Sequence, residues 1–233
     1  AIDRAVNPRI IIEFCCESNS NIGEYATAGC EVRRLTKADG VHTRPGYKKA
    51  AKFISSANYP TLLWGSMPCT GGTAWSIPNL AKGGATAQKV MAERDLFDQI
   101  WYSFAKAAKA AHAKGHKIAI EWPKTCAYWR LPGVQALMKS FGMTMCEVHG
   151  CALGLVDKKG KPLKKQYYIA TNDLGLAQSL NSFKCPGKSQ HSHGTTAGSE
   201  TKGTGSYTPL MAKAIHKAWE KSVALRRIGL TAV

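Results

Sequence analysis

Three side chains in the last quarter of the chain have the types and spacing of metal ligands. Cys185, His191 and His193 form a Cys-x5-His-x-His cluster in a stretch rich in Gly, Ser and Thr. Thiolate and imidazole are the donors that Zn2+ prefers, and a structural zinc site closes with four of them. A stretch with so little apolar content has no core of its own, so a bound zinc would supply the missing order. Cys151 is the first choice for the fourth ligand, with Cys146 and His149 as alternatives. Without a metal, the same residues are two histidines that fall close together in an irregular loop.

The elements that must position such residues follow from periodicity. Arg9 to Cys15 is a β-branched run that reads as a buried strand, and Glu31 to Leu35, Thr61 to Gly65, Lys117 to Glu121 and Thr144 to Gly150 read the same way. Helices are expected over Tyr25 to Ala28, Tyr47 to Ser55, Ala92 to Ala113 and Gly133 to Phe141. In the longest of them Leu96, Ile100, Phe104, Ala107, Ala108 and Ala111 share one face. Gly154 to Ala170 reads as a hairpin around Asp157 to Gly160, residues 186–206 as irregular, and Thr208 to Arg226 as a closing helix with Pro209 in its first turn. Alternating strands and helices predict an α/β fold, a mostly parallel, doubly wound sheet with an antiparallel hairpin at one edge. One domain is expected over residues 1–233, carrying the zinc segment at about 183–206. Ligands of such sheets bind beyond the carboxyl ends of the strands. Glu13, Cys69 and Glu121 all fall there.

Thirty-two Lys and Arg stand against 15 Asp and Glu, a formal charge of +17. That excess points to a polyanionic partner, nucleic acid before any membrane surface, since no basic amphipathic helix with a bulky apolar face stands out. The longest apolar runs, such as Ile10 to Ile12, are too short to cross a bilayer. No charged-then-apolar leader opens the chain, so neither a signal peptide nor an anchor is expected, and the initial Ala1 suggests a trimmed or processed fragment. Eight cysteines without framework spacing imply reduced thiols and an intracellular, reducing compartment, nucleus or cytoplasm.

Three segments, in order, resemble the DNA cytosine-5 methyltransferase family. Glu13-Phe14-Cys15 running to Ala28-Gly29-Cys30-Glu31-Val32 is similar to the family's opening strand, loop and helix. Leu62 to Cys69 resembles the strand that carries its Pro-Cys nucleophile, here Pro68-Cys69. Arg94-Asp95-Leu96-Phe97 followed by Ile118-Ala119-Ile120-Glu121 resembles the helix and strand that deliver its catalytic glutamate. Leu163 to Ile169 looks like the basic edge strand, and Tyr207 to Trp219 like the last helix. The resemblance implies a Rossmann-like fold binding S-adenosylmethionine, with Cys69 attacking carbon 6 of a flipped-out cytosine and Glu121 facing ring nitrogen 3. It implies a cofactor site along Glu13, Phe14, Glu17, Ser18, Asn19, Asp39 and Gly65. Phosphate contacts are expected from Lys158, Lys159, Lys161, Lys164 and Lys165.

The chain departs from the family pattern at identifiable places. Glu17 and Asn19 occupy the glycine-rich loop, Thr36 falls where the ribose-binding acid belongs, with Asp39 the only acid close by, and Trp122 replaces the asparagine after the glutamate. A separate target-recognition domain is missing. A second expectation is therefore a catalytically silent methyltransferase fold retained as a nucleic-acid-binding or assembly module, and the look of the chain adds membership of a larger polyprotein or assembly. DNA is preferred to RNA as the partner, as the resemblance to the DNA enzymes implies.

Overall fold

A computed structural model describes residues 7–187, 190–194 and 204–229. Expectations for residues 188–189 and 195–203 of the proposed zinc segment lie outside the described residues. Six strands, β1 (Arg9–Cys16), β2 (Cys30–Thr36), β3 (Thr61–Gly65), β4 (Lys117–Pro123), β5 (Thr144–His149) and β6 (Gln166–Thr171), form one sheet in the order β2-β1-β3-β4-β6-β5. The pairs β1–β2, β1–β3 and β3–β4 are parallel, and β6 runs antiparallel to both β4 and β5. The α/β, Rossmann-like architecture expected from the sequence is present.

Side-chain alternation along these strands fills two cores, because successive residues of a strand point to opposite faces. Ile10, Ile12 and Phe14 of β1, with Ile118, Ile120 and Trp122 of β4, pack under α2 (Arg44–Ser55), α4 (Gly84–Ala113) and α5 (Pro132–Ser140). Phe14 meets Phe104 edge to face at 5.3 Å between ring centroids. Ile11, Leu62, Trp64 and Ala119 belong to the other core, under α1 (Asn21–Glu24), α6 (Leu174–Leu180) and α7 (Pro209–Arg227). The same alternation puts Glu13 on the face of Ile11, and Glu121 on the face of Ala119. Two carboxylates thus lie on the α1–α6–α7 side of the sheet, at its carboxyl edge.

Four expectations are corrected. The segment Gly154 to Ala170 is not a hairpin of two sheet strands. A single bridge, Val156 with Pro162, closes the Asp157 to Gly160 turn, and the chain then enters β6. Nor is β6 the edge strand: it inserts between β4 and β5, and β5 is the edge. An internal strand needs partners on both sides, and Tyr167, Ile169 and Ala170, all buried, fit that position. The first helix covers Asn21–Glu24 instead of residues 25–28, because Ser20 caps it by accepting a hydrogen bond from Ile22 N at 3.3 Å. Finally, the short helices α3 (Ser76–Ala81) and α6 were not anticipated. Asp173 caps α6, accepting from Leu176 N at 2.7 Å.

Candidate active site and candidate metal centre

A cleft of about 370 Å³ opens at the carboxyl ends of β1, β3 and β4. Its lining includes Glu13, Cys69, Glu121 and Lys165. Cys69 lies four residues beyond β3, in the turn that leads into a 3-10 turn over Thr70–Gly72. The turn is held from beneath. Trp122 donates its indole N–H to the Met67 carbonyl at 2.8 Å, and Arg94 of α4 donates to the Gly71 carbonyl at 3.0 Å. A methyl group on Gly71 would meet the Tyr128 hydroxyl at 2.5 Å, and one on Gly72 would meet the Tyr128 ring at 2.9 Å. Only glycine lets this turn sit so close to Tyr128.

Glu121 is buried, 7% exposed, and its Oε2 accepts the Tyr207 hydroxyl at 2.6 Å. That hydroxyl also accepts from the Trp64 indole N–H at 3.0 Å and lies 2.8 Å from Ser66 Oγ. Glu121 Oε1 has no hydrogen-bond partner among the described residues. Burial raises the Glu121 carboxyl to about pH 7, against the lowering effects of the Tyr207 hydrogen bond and of Lys165. The Cys69 thiol is raised by burial and by Glu121, and Lys165 pulls it back down. Lys165, for its part, is depressed by burial while Glu121 and Cys69 support its charge. Acid, thiol and ammonium form one electrostatic unit.

A stability consequence follows. The unfolded Glu121 carboxyl titrates near its ordinary value of 4.5 and the folded one near 7. Between those values the folded state binds the extra proton, so the group's contribution to stability is full below pH 4.5 and is lost as pH rises through 7. Glu121→Gln, neutral at every pH, is expected to remove on the order of 2–3 kcal/mol of pH-dependence between pH 4.5 and 7. Urea unfolding at intervals across that window measures it. Parallel wild-type and variant curves would contradict the assignment.

The opposite wall of the cleft comes from β1 and the loop after it. Glu13 Oε1 accepts from Ser20 Oγ at 2.5 Å, whereas Glu13 Oε2 has no hydrogen-bond partner among the described residues and lies 3.9 Å from Arg34 Nε. Burial raises Glu13 to about 6. Arg34 staples the loop, donating to the carbonyls of Ser18 at 2.7 Å and Ser20 at 3.1 Å, and to Glu24 at 2.9 Å. Cys15 takes φ of 68°, a left-handed conformation that glycine normally supplies. Glu17 joins the lining, but Ser18 and Asn19 are exposed outside it. Phe14 and Gly65 are buried and also lie outside it; a methyl group at Gly65 would meet the Phe104 ring at 2.6 Å. Asp39 is engaged elsewhere. Its Oδ2 accepts from Thr36 N at 2.7 Å and Thr36 Oγ1 at 3.0 Å, and its Oδ1 from Lys49 Nζ at 2.6 Å. Pro68 and Cys69 both line the cleft.

The lysines divide. Lys158, Lys159, Lys161 and Lys164 are exposed. The turn bearing the first three is firm, because Asp157 Oδ1 accepts from the backbone of both Lys159 and Lys161 at 2.8 Å. Lys165 differs from these four in lining the cleft, where its ammonium donates to the Thr204 carbonyl at 2.6 Å. The antiparallel run of β6 explains this, since its beginning lies at the edge where the parallel strands end. Tyr207 and Ser20 were missed by sequence reasoning. The available signal for Tyr207 was an aromatic directly before the Thr208-Pro209 helix start.

Cys151, Cys185, His191 and His193 form a cluster whose ligand atoms lie within 4.8 Å of one another, a group that could hold a metal such as zinc. Cys185 Sγ lies 3.7 Å from His191 Nε2 and 3.4 Å from His193 Nε2, and the two imidazole nitrogens are 2.9 Å apart. Bond lengths of about 2.0–2.1 Å to nitrogen and 2.3 Å to sulfur give tetrahedral edges of about 3.3–3.8 Å, a range that holds the two sulfur–nitrogen distances, while the two imidazole nitrogens lie closer than such an edge. Of the alternatives for the fourth ligand, Cys146 is buried in the core and His149 Nδ1 accepts from Cys185 N at 2.8 Å. His149 therefore stands beside the ligands instead of among them. All eight cysteines are free thiols, consistent with a reducing compartment. Among the described residues no helix is long and apolar enough to cross a membrane.

Fold and cleft together define a Rossmann-like α/β protein with a thiol, a carboxyl and an ammonium gathered at the carboxyl edge of its sheet. No protein-family model and no curated protein matches this chain.

Proposed function

We propose that the chain is an S-adenosylmethionine-dependent methyltransferase acting on cytosine in nucleic acid, DNA before RNA, with Cys69 as nucleophile. The observation that carries the reading is the meeting of Cys69, Glu121 and Lys165 in one cleft. Carbon 5 of cytosine is a poor nucleophile until carbon 6 bears an added group. The Cys69 thiolate adds there, and the Lys165 ammonium beside it favours the thiolate. Charge then accumulates at ring nitrogen 3. A carboxyl raised to about 7 is suited to hold a proton against that nitrogen near neutral pH, and Tyr207 fixes its orientation. Once carbon 5 carries the methyl group, its proton passes to water in the cleft, the freed electron pair re-forms the double bond between carbons 5 and 6, and Cys69 leaves as thiolate.

The cofactor supplies an electrophilic methyl group when bound. The β1 wall fits its amino-acid end: Glu13 Oε2 has no hydrogen-bond partner among the described residues, and the turn at Cys15 brings backbone to the cleft. An acid for the ribose is not supplied by Asp39. That mismatch favours, as a second reading, a silent fold that binds nucleic acid alone. Calorimetry separates the two. Measurable S-adenosylmethionine binding, weakened about tenfold or more in Glu13→Ala through loss of a charged hydrogen bond, is expected. No heat of binding in the wild type would favour the silent fold. The exposed Lys158, Lys159, Lys161 and Lys164 would contact phosphate, adjacent in sequence to the lysine that enters the cleft. We further infer that the Cys151–Cys185–His191–His193 cluster binds a structural Zn2+.

A further inference from the structure

The lysine of the cleft is suspended between two segments that carry metal ligands. Gly150, next to Cys151, donates its N–H to the Lys165 carbonyl at 2.7 Å. On the other side Gly194, next to His193, donates to the Pro162 carbonyl at 2.9 Å and bridges to Leu163, which is fully buried. Leu163 N bonds Leu155 O at 2.8 Å, and Leu155 N bonds Gly150 O at 2.9 Å, closing a ring of backbone around Cys151. Gly194 has no room for a side chain, since a methyl group there would lie 2.5 Å from the Asp157 carboxylate. Cys185 joins the same assembly: its N–H donates to His149, which contacts Glu147 at 3.1 Å, and Glu147 accepts from Gln166, the residue after Lys165, at 2.6 Å. The backbone ties at Gly150 and Gly194 thus join residues 162–165 directly to neighbours of two ligands of the cluster.

We infer that the metal centre is a positioning device for the cleft: zinc on Cys151, Cys185, His191 and His193 holds the 162–166 strip so that the Lys165 ammonium stays beside Cys69 and Glu121. The inference rests on the zinc reading above and adds a consequence to it. Merely structural zinc would stabilise the fold and leave the thiol's reactivity alone. Positioning zinc tunes the thiol through Lys165 and through nothing else. Removing the metal lets the ammonium drift, and the thiolate loses its counter-charge.

The test measures zinc content and, by peptide mass spectrometry, the rate at which iodoacetamide alkylates Cys69 at pH 8, before and after a strong chelator and again after Zn2+ is restored. In the wild type the expected result is one zinc per chain, a several-fold slower Cys69 reaction once it is removed, and recovery on re-addition. In Lys165→Met the reaction is slow from the start and insensitive to the chelator; Lys165→Arg regains part of the zinc-dependence. Protein without zinc that takes none up overturns both the metal reading and the inference. Zinc that leaves without changing Cys69 reactivity overturns the inference alone. So does a chelator effect of equal size in Lys165→Met, or a faster reaction in both proteins, the mark of general loosening.

Discussion

Cys69→Ser is expected to lower methyl transfer to a cytosine-containing oligonucleotide by on the order of 10³-fold or more, with folding unchanged. The size follows from the chemistry. Without a covalent bond at carbon 6 the ring offers no usable electron density at carbon 5, and a serine hydroxyl has no base within the cleft strong enough to ionise it. Glu121, raised to about 7, is too weak a base for that work. Folding should survive, because the substitution replaces one sulfur by a smaller oxygen on the same skeleton and Cys69 is part-exposed, so the hydroxyl can reach solvent. A single-turnover assay with radiolabelled methyl donor reads the effect, and activity within tenfold of the wild type would remove Cys69 from the mechanism.

Loss of the proposed metal is the other large effect expected. Cys185→Ala is expected to drop zinc content from one per chain to below measurable levels and to lower the thermal midpoint. Cys185 contacts both histidines, and its backbone is tied to His149. A metal that binds only the folded state and is present at a thousandfold above its dissociation constant stabilises by about 4 kcal/mol. The loss should be of that order when wild-type and variant proteins are unfolded in zinc-containing buffer, and the difference should vanish in chelator. Equal stability in the two buffers would argue against a bound ion.

Much of the fold could be read because its strands are short β-branched runs with helices between them. Thr61–Gly65 falls where the periodicity puts it, and β1 differs by one residue. The gathering of Glu13, Cys69 and Glu121 was readable for a topological reason: parallel strands deliver their carboxyl ends to one edge. What resisted was long-range pairing. The sequence suggests a hairpin over Gly154 to Ala170 with Leu163 to Ile169 at the sheet edge, whereas the insertion of Gln166–Thr171 between β4 and β5 depends on partners distant in sequence, and it brings Lys165 into the cleft. Tyr207 was hidden for a similar reason, since it reaches Glu121 across 86 residues of sequence. Asp39 shows the converse limit. An acid close to the expected position proved to be a cap for the turn after β2, because its oxygens lie nearest Thr36 and Lys49.

The thiol's role is tested most directly by trapping it on a base. An oligonucleotide carrying 5-fluorocytosine cannot release the fluorine as a cation, so an enzyme that adds its cysteine to carbon 6 and methylates carbon 5 stays bonded to the strand. Incubated with S-adenosylmethionine, the wild-type protein is expected to give a denaturation-resistant complex whose mass equals protein, oligonucleotide and one methyl group, with the bond mapped to Cys69. No such complex, or a complex that persists unchanged in Cys69→Ser, would contradict the account.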